Sequence, residues 1–108
     1  MRILFDHGTP FPLRGALTGH SIARAQDLGW DRLSNGELLT AAEQAGFALL
    51  LTTDKNIRYQ QNLAGRTMAI LVLGTSQWPV LRRHVQRIAD AVNAVTPGSS
   101  TEVEIPFA

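Results

Sequence analysis

The stretch Phe47-Ala48-Leu49-Leu50-Leu51-Thr52-Thr53-Asp54 decides the fold of this 108-residue chain. It is apolar from Phe47 up to Thr52, without the polar alternation of a strand that has one face in water. A second stretch of this kind runs from Met68 to Leu73. Strands that are apolar throughout are typical of a parallel sheet with helices on both faces. These two stretches therefore predict the centre of an α/β domain.

The sequence before this stretch predicts further strands and helices in alternation. Ser34, followed three residues later by Glu37, forms a capping-box pattern, so a helix is predicted from Ser34 to a turn at Gly46. The other predicted elements are a strand at Arg2–Phe5, a helix that begins at Pro10 or Pro12 and ends near Leu17, a weak strand at Ser21–Ala25 and a helical turn at Ala25–Leu28.

The sequence after this stretch continues the alternation. Pro79 is predicted to open the longest helix, because apolar residues then recur at intervals of four and three and form one stripe. The elements predicted here are a short helix at Asn56–Leu63, the strand Met68–Leu73, the long helix with its stripe of Leu81, Val85, Ile88, Val92 and Val95, and an edge strand at Thr101–Pro106.

Together these elements predict a three-layer α/β/α sandwich around a mainly parallel sheet. We expect one α/β domain over residues 1–95, followed by a C-terminal tail over residues 96–108 that adds an edge strand. In a sheet of this type, ligands bind outside the carboxyl ends of the strands, at the point where the strand order reverses.

Composition excludes several classes of protein. The chain has no cysteine, which rules out a disulfide scaffold, a zinc ribbon and a cysteine nucleophile. Its apolar runs are too short to span a bilayer, and Asp6 interrupts the region where a signal peptide needs an apolar run. We therefore expect a cytoplasmic protein without a membrane partner.

The net charge is +1, but residues 1–95 carry ten bases and seven acids, a balance that permits an RNA-binding face.

Three acids are predicted to meet at one edge of the sheet. Asp6 follows the first strand, Asp54 follows the third, and Glu37 lies at a helix start that opens near the same edge. Because carboxylate oxygens are preferred ligands of hard cations, these acids predict a site for Mg²⁺ or Mn²⁺. Each acid also has a structural interpretation: Asp6 can cap a loop, Asp54 can cap the following helix, and Glu37 can serve the capping box alone.

Other motifs are absent or ambiguous. The sequence has no Walker A loop, no dinucleotide-binding glycine pattern, no nucleophile elbow and no zinc-protease motif. The histidines at positions 7, 20 and 84 are too scattered for a metal site, and only His7 adjoins a candidate acid. The polar run Asn56–Asn62 contains Tyr59 and is compatible with RNA binding by stacking and amide contacts, or with a solvated helix.

Four short motifs occur in order over residues 2–66 of the chain. They are Arg2-Ile3-Leu4-Phe5-Asp6, Gly19-His20, Asn35-Gly36-Glu37-Leu38 before an alanine-rich helix, and Leu51-Thr52-Thr53-Asp54 with the stretch that follows it to Arg66. By the order and spacing of these motifs, the chain resembles the short PIN-like domains, relatives of the PilT N-terminus nucleases and of the VapC-type toxins. The resemblance extends over residues 1–95.

This resemblance implies a PIN-like fold and a ribonuclease whose divalent metal is held by Asp6, Glu37 and Asp54. It also implies the toxin of a toxin–antitoxin pair, with RNA as substrate and a small antitoxin from an adjacent gene as partner. The residues that we assign to substrate binding are Thr53, Asn56, Arg58, Tyr59 and Arg14, with His7, Asn35, Thr52 and Thr75 as neighbours of the site.

The chain departs from the family pattern at three places. Relatives often have Asp-Glu-Asn-x-Pro where this chain has Asp6-His7-Gly8-Thr9-Pro10, and they commonly have Asp at the position of Asn35. Full PIN domains carry a fourth acid where Thr75 and Ser76 follow the fourth strand. The site is therefore less acidic. This leaves open a catalytically degenerate PIN-like module that binds a protein partner or RNA without turnover.

Two further hypotheses concern phosphotransfer and assembly. A receiver-like phosphoacceptor built on Asp6, Asp54 and Thr75 fits less well, because such domains carry an acid pair after the first strand and a lysine after a later one.

The aliphatic content is high for a domain of this size, and the tail strand at Thr101–Pro106 offers a pairing edge. On these grounds we expect a homodimer.

Overall fold

A computed structural model describes residues 1–57, 63 and 65–106, and these residues form an α/β fold around a parallel sheet. The strands are β1 (Arg2–Phe5), β2 (Ser21–Arg24), β3 (Leu49–Thr52), β4 (Ala69–Leu73) and β5 (Ser100–Val103). Their order in the sheet is β2-β1-β3-β4-β5, and every neighbouring pair is parallel. The strand order reverses at β1, so the topological switch point lies between β1 and β3.

Helical segments cover both faces of the sheet. The α-helices are α1 (Asn35–Gln44), α2 (Trp78–Leu81) and α3 (Val85–Asn93), and 3₁₀ helices span Phe11–Ala16, Ala25–Leu28 and Arg82–His84. Successive residues of each strand point to opposite faces. Ile3 and Phe5 accordingly join a core with α2 and α3, whereas Leu4 joins a second core with α1. Two buried cores separated by one sheet agree with the predicted three-layer sandwich.

The capping box that predicted α1 is present. The Glu37 backbone N–H donates to Ser34 Oγ at 3.3 Å, and the Ser34 backbone N–H donates to Glu37 Oε1 at 3.1 Å. The helix ends at Gln44, and Gly46 then turns the chain with φ +85°, a value at which glycine is unstrained. The backbone N–H of Phe47 then donates to the Ala42 carbonyl at 2.9 Å. Phe47 therefore belongs to the turn that closes α1, and β3 begins two residues later than predicted.

Two predicted helices differ from the α-helices that the sequence indicated. The segment after Pro10 is a six-residue 3₁₀ helix, in which the Leu13 N–H donates to the Pro10 carbonyl at 3.2 Å. The long helix predicted from Pro79 is interrupted by the 3₁₀ turn at Arg82–His84. His84 has φ −131° and ψ 25°, outside helical values, and its Nε2–H donates to the Pro106 carbonyl at 3.0 Å. This hydrogen bond connects the beginning of the last helix to the tail.

The tail supplies the outermost strand. β5 runs parallel to β4, and the buried side chains of Val103 and Ile105 join the core beside α3. The predicted helix at Asn56–Leu63 falls mostly outside the described residues, although Ile57 is fully buried in the core beside α1. Across the described part of the chain, no helix has the length and apolar character needed to cross a membrane.

Candidate active site

The candidate site lies at the carboxyl edge of the sheet, between β1 and β3. Phe5, the last residue of β1, is in register with Leu51 of β3. The backbone N–H of Asp6 donates to the Leu51 carbonyl at 3.0 Å, which carries the pairing one residue further. Asp6 therefore leaves β1 directly beside Thr52, and Asp54 follows two residues later. The two acids predicted from strand ends therefore both lie at the switch point, where sheets of this type bind ligands.

Thr52 joins the two acids. Its hydroxyl donates to Asp6 Oδ2 at 2.8 Å and accepts from the backbone N–H of Asp54 at 3.1 Å. The Thr52 side chain is fully buried, and a buried hydroxyl is tolerated when its hydrogen bonds are made. Thr52 therefore fixes one oxygen of Asp6 and the backbone of Asp54 in a single arrangement.

The Asp54 carboxylate is held by two donors. Its Oδ2 accepts from the side-chain amide of Asn35 at 3.2 Å, and its Oδ1 accepts from the backbone N–H of Asn56 at 3.0 Å. The second contact is an Asx turn, in which the Asp54 carboxylate holds the backbone two residues further along the chain. Asn35 is the first residue of α1, which means that the capped start of α1 is aimed at this edge.

A tight loop after β1 covers the Asp6 side of the edge. The His7 backbone N–H donates to Asp6 Oδ1 at 2.8 Å, and the Thr9 backbone N–H donates to the Asp6 carbonyl at 3.0 Å. Gly8 has φ +91°, and a Cβ at Gly8 would lie 3.4 Å from the Thr53 hydroxyl. The buried Thr9 hydroxyl donates to the Leu51 carbonyl at 3.0 Å, which fastens the loop onto β3.

The Asp6 and Asp54 carboxylates retain capacity for a cation. Each of their four oxygens accepts one of the hydrogen bonds described above, and a carboxylate oxygen offers about two lone pairs. Both side chains are half-buried, so they remain accessible from solvent. Mg²⁺ is commonly bound by one or two carboxylates together with substrate phosphate. Asp6 and Asp54 supply two carboxylates. The donor set therefore fits the predicted Mg²⁺ or Mn²⁺.

Glu37 is engaged in the cap of α1. Its side chain is exposed, and its hydrogen bonds within the described residues are those to Ser34. The Ser34 backbone N–H and hydroxyl lower the pKa of the Glu37 carboxyl from its ordinary value. Over the described ranges, no group of three or more histidine and acidic side chains is placed to hold a metal ion. In the structure, the residue of α1 that contacts Asp54 is Asn35.

The remaining predicted residues fall into three groups. Thr53 is half-buried beside Gly8, and Asn56 contributes its backbone to the Asp54 turn, so both lie at the edge. Thr75 follows β4, where its hydroxyl accepts from the Gln77 N–H at 3.2 Å, and Arg14 stacks on Phe11. The predicted contacts of Arg58 and Tyr59 lie outside the described residues.

Sequence reasoning missed Arg24, which lies near this edge. Arg24 ends β2, the strand beside β1, and its guanidinium carbon lies 4.4 Å from the centroid of the Phe11 ring. The rule that located Asp6, that residues ending parallel strands share one edge, applies equally to Arg24. Its use required the position of β2 in the sheet, which the sequence alone did not provide.

Comparisons of the sequence with protein-family models and with curated proteins gave no match, and a search of solved structures gave none either.

Proposed function

We propose that this protein is a divalent-metal-dependent endoribonuclease of the PIN-like class that hydrolyses RNA phosphodiester bonds at the Asp6–Asp54 edge. The observation that carries the proposal is a pair of half-buried acids at the ends of adjacent parallel strands, where the buried Thr52 hydroxyl bonds both the Asp6 carboxylate and the Asp54 backbone N–H. This pair occupies the switch point of the sheet. The sequence resemblance to PIN-like domains supports RNA as the substrate.

The proposed mechanism assigns a distinct role to each residue. Asp6 and Asp54 would hold Mg²⁺ or Mn²⁺, which supplies Lewis acidity and neutralises charge at the phosphate when bound. Thr52 keeps Oδ2 of Asp6 oriented, and Asn35 does the same for Oδ2 of Asp54. We assign Thr53 to a hydrogen bond with the substrate phosphate. Preorganised donors and acceptors of this kind accelerate reaction because they need no rearrangement at the moment of bond breaking.

The decisive experiment measures cleavage of labelled RNA, both unstructured and hairpin, with Mg²⁺, with Mn²⁺ and with a chelator. We expect metal-dependent cleavage that falls at least about 100-fold in Asp6→Asn and in Asp54→Asn, because each change weakens the metal site. Asp90→Asn is the matched control, since Asp90 is an exposed acid of α3 bonded to Gln86. Cleavage that survives in the Asp6→Asn, Asp54→Asn double variant would refute the mechanism.

We further propose that this activity is that of a toxin restrained by a small antitoxin from an adjacent gene. Support comes from the resemblance to VapC-type toxins. Expression of the wild type alone should arrest growth, and co-expression with the neighbouring small protein should restore it. Arrest by the Asp6→Asn, Asp54→Asn double variant would separate toxicity from cleavage and contradict the proposal.

Homodimer formation stays a prediction, and one of the two grounds given for it from the sequence is now removed. The large apolar side chains that the described residues leave exposed are Met1 and Leu28, so the two cores absorb the aliphatic content. The remaining support is the open edge of β5. Light scattering at micromolar concentration tests it directly, and a monomer would remove it.

A second candidate is a module of the same fold that binds RNA or a protein partner without turnover. It is favoured by the finding that the described residues bring no third acid to Asp6 and Asp54. Calorimetric titration with Mn²⁺ separates the two proposals. Binding that Asp54→Asn abolishes supports the enzyme, whereas RNA binding without metal binding supports the module.

The strand order gives some support to a phosphoacceptor, because receiver domains share the order β2-β1-β3-β4-β5. Asp54 after β3 would then accept the phosphoryl group from the phosphodonor, and the hydroxyl of Thr75 after β4 would hydrogen-bond it. However, Asp6 is followed by His7 rather than by a second acid, and the single lysine of the chain is Lys55, beside Asp54. Absence of labelling by a small phosphodonor would exclude this candidate.

A further inference from the structure

Three side chains form a cationic aromatic cluster at the β2 side of the candidate site. The guanidinium carbons of Arg14 and Arg24 lie 4.1 and 4.4 Å from the centroid of the Phe11 ring. Both distances are within the range of an attractive cation–π contact. Two guanidinium groups, from different elements of the fold, therefore share one aromatic ring.

The cluster is built onto the strand that carries Asp6. The Phe11 ring packs edge-to-face on Phe5, with centroids 6.5 Å apart and planes at 87°. Phe5 immediately precedes Asp6, and Arg24 is the register partner of Phe5 across β1 and β2. The cluster therefore lies at the same edge of the sheet as the two acids.

The cluster keeps unused hydrogen-bond donors. Arg14 is exposed, and its described hydrogen bond is a 3.3 Å contact from Nη1 to the Phe11 carbonyl. Arg24 donates from Nε and Nη2 to Asp27 at 2.8 and 3.0 Å, and these bonds raise the pKa of Arg24 above its ordinary value. Arg14, Arg24 and Asp27 together carry one net positive charge. A guanidinium that stacks on a ring still directs its N–H groups outward in its own plane.

The opposite side of the site has a different character. A cleft beside Asp54 is lined by Lys55, Gly74, Arg87, Glu102, Glu104, Ile105 and Pro106. Its two cations are matched by two acids, and its lining includes no aromatic side chain. Counting the charges of the described residues, a polyanion crossing the edge is therefore attracted more strongly on the Phe11 side than on the Lys55 side.

We propose that the cluster of Phe11, Arg14 and Arg24 is the binding site for the single-stranded segment of RNA that adjoins the cleaved bond. The cluster supplies what such a segment needs: N–H donors for phosphate oxygens, and an exposed guanidinium plane on which a base stacks. The identity of the strand as RNA substrate rests on the proposed function. We expect the RNA segment to extend toward β2 and away from β5, because the net positive charge of the two compared clusters lies on the β2 side.

The test measures binding of a short fluorescent single-stranded RNA by anisotropy, with chelator present so that the RNA stays intact. We expect Arg14→Gln and Arg24→Gln each to weaken binding by roughly fivefold to tenfold, and each to reduce the salt slope by about 0.7. Arg87→Gln, on the opposite side, is the matched control and should leave binding unchanged. Arg14→Lys should recover part of the affinity, because charge is kept while the planar fork is lost.

Three outcomes distinguish this inference from the proposed function. If Arg14→Gln and Arg24→Gln melt as the wild type does and bind RNA with unchanged affinity, the cluster is not the RNA-binding site. An equal loss in Arg87→Gln also overturns that assignment, because the asymmetry is then wrong. RNA binding that depends on Arg14 in a protein that never cleaves RNA supports the cluster and refutes the enzyme. The double variant Asp6→Asn, Asp54→Asn should bind RNA while failing to cleave it.

Discussion

The Thr52 hydroxyl donates to Oδ2 of Asp6 at 2.8 Å while it accepts the backbone N–H of Asp54 at 3.1 Å. Thr52 is fully buried at the end of a strand that is otherwise leucine. Valine would fill the same volume, so shape does not account for threonine here. What threonine adds is one donor and one acceptor, and both are used at the candidate site.

The first prediction concerns Thr52. Thr52→Val leaves the Asp54 N–H and one oxygen of Asp6 without their partner, and should lower the free energy of unfolding by about 1–3 kcal/mol. Cleavage should fall mainly through kcat, because Asp6 loses its orientation. Thr52→Ser keeps the hydroxyl and should retain cleavage, with about 1 kcal/mol lost through the missing methyl. Urea unfolding and steady-state kinetics measure both. Equal kcat in the valine and serine variants would contradict the orienting role.

The second prediction concerns Asn35, which donates to Asp54 Oδ2 at 3.2 Å. Asn35→Asp places a second carboxylate against Asp54, so like charges repel and the protein without metal should be less stable. Saturating Mn²⁺ should reverse this loss, and the rise in Tm on adding Mn²⁺ should be larger than in the wild type. Melting in the presence of chelator is the control. A Tm that Mn²⁺ leaves unchanged in both proteins would argue against a metal site.

The third prediction concerns Glu37, which the sequence assigned both to the metal and to the cap. Glutamine also completes a capping box, so Glu37→Gln should keep α1 stable and leave cleavage within about twofold. Glu37→Ala should lower the melting temperature of the protein through loss of its bond to the Ser34 N–H. A large loss of Mn²⁺ affinity in Glu37→Gln would instead establish Glu37 as a metal ligand.

Local and pattern-based features of the fold could be predicted from sequence. The capping box at Ser34 depends on residues three apart, and it located α1. The apolar run before Thr52 identified β3, and strand ends then located Asp6 and Asp54. The predicted beginning of β3 was wrong by two residues. Phe47 closes the turn after α1, but because it is apolar, a hydrophobic pattern does not distinguish it from a strand residue.

Features that depend on distant parts of the chain could not be predicted. The apolar stripe passes from Leu81 to Val85 at the ordinary helical spacing of four. Nothing in the periodicity therefore marks the break at Arg82–His84 between α2 and α3. The contact that accompanies the break, from His84 to Pro106, joins residues 22 positions apart. The bond from Thr52 to Asp6 spans 46 positions and requires the order of strands in the sheet.

The fourth prediction concerns Gly74, at the end of β4. A Cβ there would lie 3.2 Å from the Ile105 nitrogen and 3.3 Å from the Val103 carbonyl oxygen, both backbone atoms. Gly74→Ala should therefore displace the segment after β5 and cost about 1–3 kcal/mol of unfolding free energy. Gly15→Ala is the control, because a Cβ there meets nothing within 4 Å. Hydrogen exchange should show faster exchange at Ile105 in Gly74→Ala. Equal unfolding midpoints for the two variants would contradict the close packing.

The fifth prediction concerns the pH dependence that Glu43 confers. Burial raises the pKa of the Glu43 carboxyl, but hydrogen bonds from the Thr67 backbone N–H, Arg66 and the Thr67 hydroxyl outweigh it, so the net pKa is lowered. A carboxyl with a lower pKa in the folded state stabilises the fold above its unfolded pKa, and this stabilisation disappears as the pH falls through the folded value. Glu43 and Arg66 are about one-fifth exposed and join α1 to the loop before β4.

Glu43→Gln should therefore lower the free energy of unfolding at pH 7 by about 1–2 kcal/mol, because charge-assisted hydrogen bonds to Arg66 and Thr67 are weakened. The difference from the wild type should shrink below pH 4.5, the ordinary pKa of the group, and vanish once Glu43 is protonated in the folded state. Urea unfolding from pH 3 to pH 7 measures this, with the exposed Asp31→Asn as the control. A difference that stays constant across this range would show that Glu43 acts through packing and not through its charge.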